Sequence, residues 1–350
     1  MISNRSQSPH MGTRSIPVNR GRMNPSKLTA KQWNPRQLER VSRNQLALKV
    51  GRWEGGICFE IPFFVFVGKV RKPRALLIAG IHGDEYEGVA ALHDFASQLH
   101  PDELCGTLTI VPISNPQAFY AGTRRNPVDC GDLNRLFPGD PKGTISERLA
   151  ALLFHNLVTD NDAILSMHCW SKEAVSVPYV EYFDGKGRVG RESLAIAHAV
   201  GLDFLHPYRW EPGLLVAAAS RAGIPSVEVE VGGLGSITDS GQRTYLAVIR
   251  RFLAYLGMLK KPSLSGQPVY ASKIVDHISL RADHAGLFRS RVAVGQKVRK
   301  GSEIGIIHDL AGKRLEKVTA PCEGIVGILR VFASVLPGDQ IAQLFWENSD

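Results

Sequence analysis

The chain has 350 residues, of which 44% are hydrophobic and 21% are charged, close to the average for soluble globular proteins. No uninterrupted apolar stretch approaches the ~20 residues that span a bilayer, so a membrane partner is not expected. The net charge of +9 is confined to one segment: residues 1–50 contain ten of the 42 Lys and Arg residues but one of the 33 acids, which leaves 32 of each elsewhere. We therefore expect no folded basic surface for nucleic acid.

The N-terminal segment, residues 1–45, is basic and rich in Ser, Asn, Gln and Pro. It has too little apolar surface to offset the entropy lost on ordering, so it is predicted to be a mostly disordered tail. The segment fits an unstructured extension, with Met11 or Met23 as the true start, or an organelle transit peptide. A nucleic-acid-binding arm is disfavoured because Trp33 is the only aromatic residue among the basic ones.

The cysteines are odd in number and form no C-x-x-C pair, which argues against a disulfide framework and against a zinc site made of cysteines. A reducing compartment fits this pattern. We expect a cytoplasmic protein, with organelle targeting through the basic tail as the alternative. The five residues are Cys58, Cys105, Cys130, Cys169 and Cys322.

Residues 46–262 alternate apolar, β-branched runs with segments of helical spacing. This alternation predicts an α/β domain with a mostly parallel, mixed sheet and helices on both faces. In such a sheet, ligands bind beyond the carboxyl ends of the strands. The strand-like runs are 58–68, 74–81, 106–115, 162–168 and 225–233, and the helical ones are 84–99, 146–158, 190–200 and 241–258.

The composition changes at "KKPSLSGQP" (260–268), which is typical of a linker. Residues 263–350 contain short strand-like runs and no convincing helix, and they are predicted to form a separate small β-barrel or sandwich. The run "VGQKVRKGSEIGII" (294–307) is echoed by "VFASVLPGDQIAQL" (331–344). This quasi-repeat predicts two similar halves.

The apolar run "ALLIA" (75–79) leads directly into "GIHGDEYEG" (80–88). His82 and Glu85 are three positions apart at the predicted start of a helix, so an imidazole nitrogen and a carboxylate oxygen can converge as two ligands of a divalent metal. The alternative is that the acids of this motif only complement the helix dipole.

A third metal ligand would have to come from the end of another strand. "AILSMHCW" (163–170) supplies His168 at such a position, at the edge where the ligand crevice is expected. Its neighbour Cys169 is a conceivable thiolate ligand. It is disfavoured because adjacent strand residues point to opposite faces.

The polar stretch "GTRRNPVDCGDLNRLFPGD" (122–140) is too long for a simple connection, which is typical of a functional loop. It contains Arg124, Asn134 and Arg135. An Arg–Asn pair suits the capture of a carboxylate, and the alternative is a solvated basic loop.

The run "GIPSVEVEVGG" (223–233) places Glu228 and Glu230 on one face of a predicted strand. This alternation is also found on ordinary strand surfaces. Glu230, however, lies nearer the carboxyl end of the strand, where the crevice is expected.

These four motifs, in the order in which they occur along the chain, resemble those of the succinylglutamate desuccinylase/aspartoacylase family of zinc-dependent amidohydrolases, relatives of the zinc carboxypeptidases. The resemblance spans roughly residues 45–260 and continues into the C-terminal β region. It implies a zinc-carboxypeptidase-like fold and one Zn²⁺ per chain. The implied roles are zinc ligation by His82, Glu85 and His168, general acid/base catalysis by Glu230, polarisation of the scissile carbonyl by Arg124, and capture of the substrate carboxylate by Asn134 and Arg135.

Two positions depart from the family pattern. Ser166 stands where the family often has Asp, two residues before the third ligand, and this change bears on how His168 is oriented. Cys169 stands where the family has Ser, Thr or a similar residue, and this change bears on the substrate.

The resulting prediction is a deacylase acting on a small N-acyl amino acid or a related amide that carries a carboxylate, with homo-oligomerisation left open. One alternative is a zinc carboxypeptidase acting on a peptide or cell-wall fragment. A third hypothesis, a carrier or binding module, rests on the likeness of the C-terminal quasi-repeat to a biotinyl/lipoyl barrel and would need Lys313 to be modified.

Overall fold

A computed structural model of the protein describes residues 26–28, 34–52, 58–208, 212–260 and 272–348. Within the predicted tail, Ser26–Leu28 forms a short strand parallel to Leu46–Leu48. The next strand begins at Ser42, ahead of the predicted boundary at residue 45, because Ser42 already pairs with Val67. The other residues of the tail before 34, and the predicted linker after residue 260, lie outside the described residues.

The chain forms one large mixed sheet, a second small sheet and six α-helices within the described residues. None of the helices described is both long enough and apolar enough to cross a bilayer. The strands are β1 (Ser26–Leu28), β2 (Ser42–Arg52), β3 (Cys58–Val67), β4 (Arg74–Ala79), β5 (Thr107–Val111), β6 (Ala163–His168), β7 (Ala174–Phe183), β8 (Phe204–Tyr208), β9 (Ser226–Gly233), β10 (Lys273–Arg281), β11 (Gly286–Ser290), β12 (Lys297–Val298), β13 (Glu303–His308), β14 (Arg314–Thr319), β15 (Gly324–Arg330), β16 (Ser334–Val335) and β17 (Gln340–Glu347). The helices are α1 (Glu87–Gln98), α2 (Pro116–Ala121), α3 (Ile145–Leu153), α4 (Arg188–Val200), α5 (Leu215–Arg221) and α6 (Asp239–Tyr255), with 3₁₀ turns at Pro35–Gln37, Pro101–Glu103 and Leu133–Arg135 and a π-helical turn at Phe154–Val158.

The centre of the large sheet consists of four parallel strands in the order β5-β4-β6-β9. Strands β5 and β6 are buried along their whole length, as expected for parallel strands that are covered on both faces. One hydrophobic core joins this sheet to α1, α4 and α6, and a second core on the other face joins it to α3 and α5. The prediction of helices on both faces is therefore correct.

The sheet as a whole is mixed rather than mostly parallel. Its thirteen strands run in the order β1-β2-β3-β5-β4-β6-β9-β7-β8-β10-β17-β15-β12. Antiparallel pairs flank the parallel centre, because β2 and β3 form an antiparallel pair beside β5 and β7 is inserted antiparallel to β9. The parallel arrangement predicted from strand–helix alternation thus holds for the central strands only.

The C-terminal region is all-β, as predicted, but it continues the large sheet. Strand β10 pairs with β8, and β15 pairs with β7. The small sheet, in the order β14-β13-β11-β16, packs over the last strands of the large one around a separate hydrophobic core. Lys313 is exposed in the turn between β13 and β14. As a result, strands of the C-terminal region lie beside the crevice at the carboxyl ends of the central strands, where a ligand is expected to bind.

Candidate metal centre and active site

The predicted metal ligands meet at the carboxyl ends of β4 and β6. His82 and Glu85 lie in the loop between β4 and α1, and His168 is the last residue of β6. The loop packs against α2 so closely that a Cβ atom at Gly83 would overlap the backbone of Ala118, which explains the need for glycine there. The Tyr245 hydroxyl, from α6, donates to the His168 carbonyl and fixes the end of β6.

Both imidazoles direct the same type of nitrogen at the Glu85 carboxylate. His82 Nδ1 lies 2.6 Å from Glu85 Oε1, and His168 Nδ1 lies 2.9 Å from Glu85 Oε2. The three residues are buried, and their ligand atoms lie within 4.8 Å of one another. Two imidazole nitrogens and one carboxylate on one point match the donor set of a catalytic zinc site with one open position.

The electrostatics of this group favour a positive charge at its centre. Burial opposes ionisation of Glu85, but His82 and His168 hold the pKa of that carboxyl below its usual range. Burial also disfavours the charged form of His168, yet the carboxylates of Glu228 and Glu85 raise its pKa to about 10. A cation bound at the Nδ1 atoms would meet the same carboxylates that otherwise favour a proton.

The outer nitrogen of each histidine contacts a polar group. His82 Nε2 lies 3.2 Å from Asp132 Oδ1. His168 Nε2 lies 3.0 Å from Ser166 Oγ and 3.5 Å from Glu228 Oε2. Such contacts fix the ring orientation and the tautomer that leaves Nδ1 free to bind a metal.

The departure at Ser166 is offset by the neighbouring strand. Ser166 and Glu228 are direct partners in the β6–β9 pair, so both reach the same ring nitrogen of His168. The carboxylate beside the outer nitrogen of His168 thus comes from Glu228, on the neighbouring strand. Glu228 also accepts a hydrogen bond from Asn134 Nδ2, at 3.3 Å and 3.4 Å to its two oxygens.

Asp132 is a site residue that the sequence analysis did not single out. Besides its contact with His82, its second oxygen accepts a hydrogen bond from Arg124 Nε at 3.0 Å. Burial opposes its ionisation, but the His82 contact and Arg124 hold the pKa of Asp132 below the usual range. The sequence signal that could have identified it is its position in the "DLNR" motif. A carboxylate there would repel an anionic substrate, so its presence beside Asn134 and Arg135 indicates a different role.

Arg124 and Arg135 both line the cavity, but in different surroundings. Arg124 is held by Asp132, and its Nη1 lies 3.7 Å from Glu85 Oε1. Arg135 is exposed, and its guanidinium donates to the Asn134 carbonyl at 2.8 Å. Asn134 itself is buried, and its Oδ1 accepts from the Leu215 N–H at the start of α5. Asn134 therefore also has a structural role. Of Asn134 and Arg135, Arg135 is the more available to contact a ligand.

Glu230 is the direct partner of His168 across the β6–β9 pair. Its carboxylate lies within 4.8 Å of ligand atoms of His168 and Glu228, and its Oε2 is buried with no hydrogen-bond partner among the described residues. Burial and the Glu85 carboxylate raise the pKa of Glu230 well above the usual value. A carboxylate with an unused oxygen beside a metal group is suited to accept a proton.

The remaining residues of the loop motif have other roles. Glu87 is fully buried in the first turn of α1 and accepts hydrogen bonds from Thr238, the N-cap of α6, and from Gln242 within α6. It thereby ties α1 to α6 below the site. Cys169 is absent from both groups of described residues that could hold a metal, and burial, with Glu85 nearby, raises the pKa of its thiol. Cys169 is therefore not assigned as a metal ligand, and it lines the cavity beside the metal group.

His82, Glu85, Arg124, Glu228 and Glu230 open onto one cavity of about 570 Å³, a size typical of small-molecule sites. One wall comes from the C-terminal β region, through β10 and β17. The cavity is lined by His82, Glu85, Arg124, Asn134, Arg135, Cys169, Trp170, Ser171, Tyr179, Glu181, His206, Tyr208, Leu214, Glu228, Glu230, His277, Ser279, Arg281, Gln340 and Gln343.

Comparisons with known proteins agree on one family. The family model for the succinylglutamate desuccinylase/aspartoacylase catalytic domain matches residues 71–256. The N-alpha-acetyl-L-2,4-diaminobutyric acid deacetylase of Halomonas elongata is 31% identical over 277 residues, which cover 77% of this chain and 81% of the relative. A solved structure of a succinylglutamate desuccinylase/aspartoacylase from Rhodobacter sphaeroides is 29% identical, with a TM-score of 0.81 and coverage of 88% of this chain and 96% of the other. The product-bound ectoine utilization protein EutE (DoeB) from Ruegeria pomeroyi is 26% identical, with the same TM-score of 0.81 and the same coverage of 88% and 96%.

Proposed function

The chain belongs to the succinylglutamate desuccinylase/aspartoacylase family, and from that premise we propose that it is a zinc-dependent amidohydrolase that removes the acyl group from a small N-acyl amino acid. The observation that carries the proposal is the convergence of His82 Nδ1, His168 Nδ1 and the Glu85 carboxylate. Beside His168 lies a Glu230 oxygen that has no hydrogen-bond partner among the described residues. The names of the relatives support an amino acid that carries an N-acetyl or N-succinyl group.

His82, Glu85 and His168 would hold the metal. Zinc fits this donor set better than magnesium or calcium, because two of the three donors are imidazole nitrogens. When bound, the ion supplies Lewis-acid chemistry that lowers the pKa of water and polarises the acyl carbonyl. The buried surroundings keep the ligands in place, since each histidine ring is held from its outer side.

Glu230 would move the proton. It takes a proton from the attacking water as the water oxygen bonds to the acyl carbon, and it returns that proton to the amide nitrogen as the C–N bond breaks. Arg124 is positioned by Asp132, and its guanidinium would donate to the oxyanion that develops on the acyl oxygen. The products are the free acid and the free amine.

Arg135, with Asn134, would bind the substrate carboxylate. The guanidinium is the more available of the two groups, because both polar atoms of the Asn134 side chain already have partners in the protein. An exposed arginine at the cavity can pair with an anion with little desolvation cost, and it would orient the substrate at its carboxylate end.

The test is release of free amine from a panel of N-acyl amino acids by the full-length protein loaded with zinc. We expect turnover that is lost when the metal is removed by a chelator and that returns when zinc is added. Elemental analysis of protein purified without chelator should give one zinc per chain. The proposal would be refuted if the protein turned over no N-acyl amino acid and also bound no divalent metal.

A further inference from the structure

A line of polar side chains crosses five neighbouring strands on the face of the sheet that lines the cavity. Glu228 of β9 pairs with Ser166 of β6 on one side and with Glu181 of β7 on the other. Glu181 pairs in turn with His206 of β8, and His206 contacts His277 of β10. We call these residues the polar row. It runs from the metal group into the C-terminal region.

The far end of the row is a hydrogen-bonded chain of three groups. His206 Nδ1 lies 3.0 Å from Glu181 Oε1, and His277 Nδ1 lies 2.7 Å from His206 Nε2. Because an ionised carboxylate can only accept, His206 donates to Glu181 through Nδ1. The far end of the polar row is therefore a carboxylate that is followed by two imidazoles.

The surroundings disfavour a positive charge on the imidazole at the end of the row. Burial and the neighbouring His206 lower the pKa of His277. In the described part of the chain, neither Glu181 nor Glu228 forms an ion pair with a lysine or an arginine. Of the arginines that line the cavity, Arg124 pairs with Asp132 and Arg281 donates to the Gly338 carbonyl, while Arg135 is the group proposed to bind the substrate carboxylate. A cationic group is the missing complement.

We propose that Glu181, with His206 and His277, binds a positively charged ammonium group on the side chain of the substrate. This inference rests on the proposed function and narrows its substrate class to N-acyl diamino acids. Two strand spacings separate β6 from β7, or about 10 Å. A substrate whose acyl group lies at the metal group spans that distance through its amide bond, its α-carbon and a short aliphatic side chain with a hydrogen bond at its end. The substrate carboxylate then lies toward Arg135 and the ammonium group toward Glu181.

The test uses a matched pair of substrates, N-acetyl-2,4-diaminobutyrate and N-acetylnorvaline, which have the same shape and differ in the charge of the side chain. We expect wild type to favour the cationic substrate by about 10- to 100-fold in kcat/KM, the range of a charge-assisted hydrogen bond. Glu181→Gln should lose most of that preference by slowing only the cationic substrate. Glu192→Gln, on the exposed surface of α4, makes the same chemical change and should alter neither substrate.

A second readout does not depend on turnover. Calorimetric titration of the free products should show tighter binding of 2,4-diaminobutyrate than of norvaline to wild type, and equal binding to Glu181→Gln. His277→Phe should reduce the difference in part, because it removes the polar group at the end of the chain but leaves the carboxylate.

The two proposals can fail separately. If zinc-loaded wild type hydrolyses both substrates equally well, or if Glu181→Gln slows both to the same extent, the ammonium subsite is wrong while the deacylase function stands. If wild type hydrolyses no N-acyl amino acid, the deacylase function is wrong. The titrations with the products then decide the subsite alone, and equal affinity for the two products would overturn it.

Discussion

Two walls of the same cavity differ in how their polar groups are held. At the catalytic edge, formed by the carboxyl ends of β4, β6 and β9, the side chains are buried and each metal-directed histidine is backed by a second polar group. On the C-terminal wall, formed by β10 and β17, neutral side chains hydrogen-bond to one another, with Gln343 Nε2 3.1 Å from Ser279 Oγ and 3.2 Å from Gln340 Oε1.

This difference indicates which substitutions should have a large effect on turnover or metal binding. Removing one partner of a buried charged group leaves the other partner unpaired, which costs far more than losing one of several exposed neutral hydrogen bonds. We therefore expect substitutions at the catalytic edge to abolish turnover or metal binding. Substitutions on the C-terminal wall should instead change which substrate is preferred.

The largest effect is expected from Glu230→Gln. The amide cannot take a proton from water, so kcat should fall by about 10²–10⁴-fold. Zinc content measured by elemental analysis should stay at the wild-type level, because Glu230 is not one of the three metal ligands. A variant with near-normal kcat, or one that has lost its zinc, would show that the role assigned to Glu230 is wrong.

The second effect concerns the carboxylate beside His168. Glu228→Gln should weaken zinc binding by about 10- to 100-fold, the usual range for an outer partner of a histidine ligand. Adding Ser166→Asp to this variant should restore part of the affinity, because Ser166 reaches the same ring nitrogen. Zinc competition with a fluorescent chelator measures both variants. Unchanged affinity in Glu228→Gln would mean that Ser166 alone orients His168.

The catalytic edge could be predicted from the sequence because its residues occur in contiguous motifs at strand ends. His82 and Glu85 lie within one loop, and the buried run before His168 marks β6 as a central strand. The direct pairing of Glu230 with His168 follows from two parallel neighbours that end at the same edge. Local spacing, together with the rule that ligands bind at the carboxyl ends of the strands, was therefore enough to place these residues at one edge.

The polar row could not be predicted in the same way. Strand β7 was absent from the predicted strands, and Pro178 in its middle argues against a central strand. The structure accommodates this proline at an irregularity in the β7–β9 pairing, between Ser176 and Tyr179. Once β7 is placed between β9 and β8, Glu181 meets His206. No local sequence pattern predicts that Glu181 and His206 are neighbours. Nor does any local pattern predict that His277, from the C-terminal region, contacts His206.

A smaller effect is expected from Arg135→Met, a substitution of an exposed residue that lines the cavity. We expect KM for an N-acyl amino acid to rise about 5-fold with kcat nearly unchanged, because an exposed ion pair is weakened by solvent. The amide of the same substrate should be unaffected by the substitution. Equal KM values for the acid in wild type and variant would show that the carboxylate is bound elsewhere, and a large fall in kcat would place Arg135 in the chemical step.

The smallest effect is expected on the C-terminal wall, from Gln343→Ala. Its amide donates two neutral hydrogen bonds to Ser279 and Gln340, each of which contributes about 0.5–1.5 kcal/mol net. Loosening this wall should change KM by a few-fold, and to different extents for N-acyl amino acids with short and long side chains. The metal group lies on other strands, so zinc content and the kcat of the best substrate should not change. Steady-state kinetics on a series of side-chain lengths, with zinc measured on the same samples, checks both points. A loss of zinc or a uniform fall in kcat would mean that the C-terminal strands also hold the catalytic edge in place, and the two walls would then have to be treated as one unit.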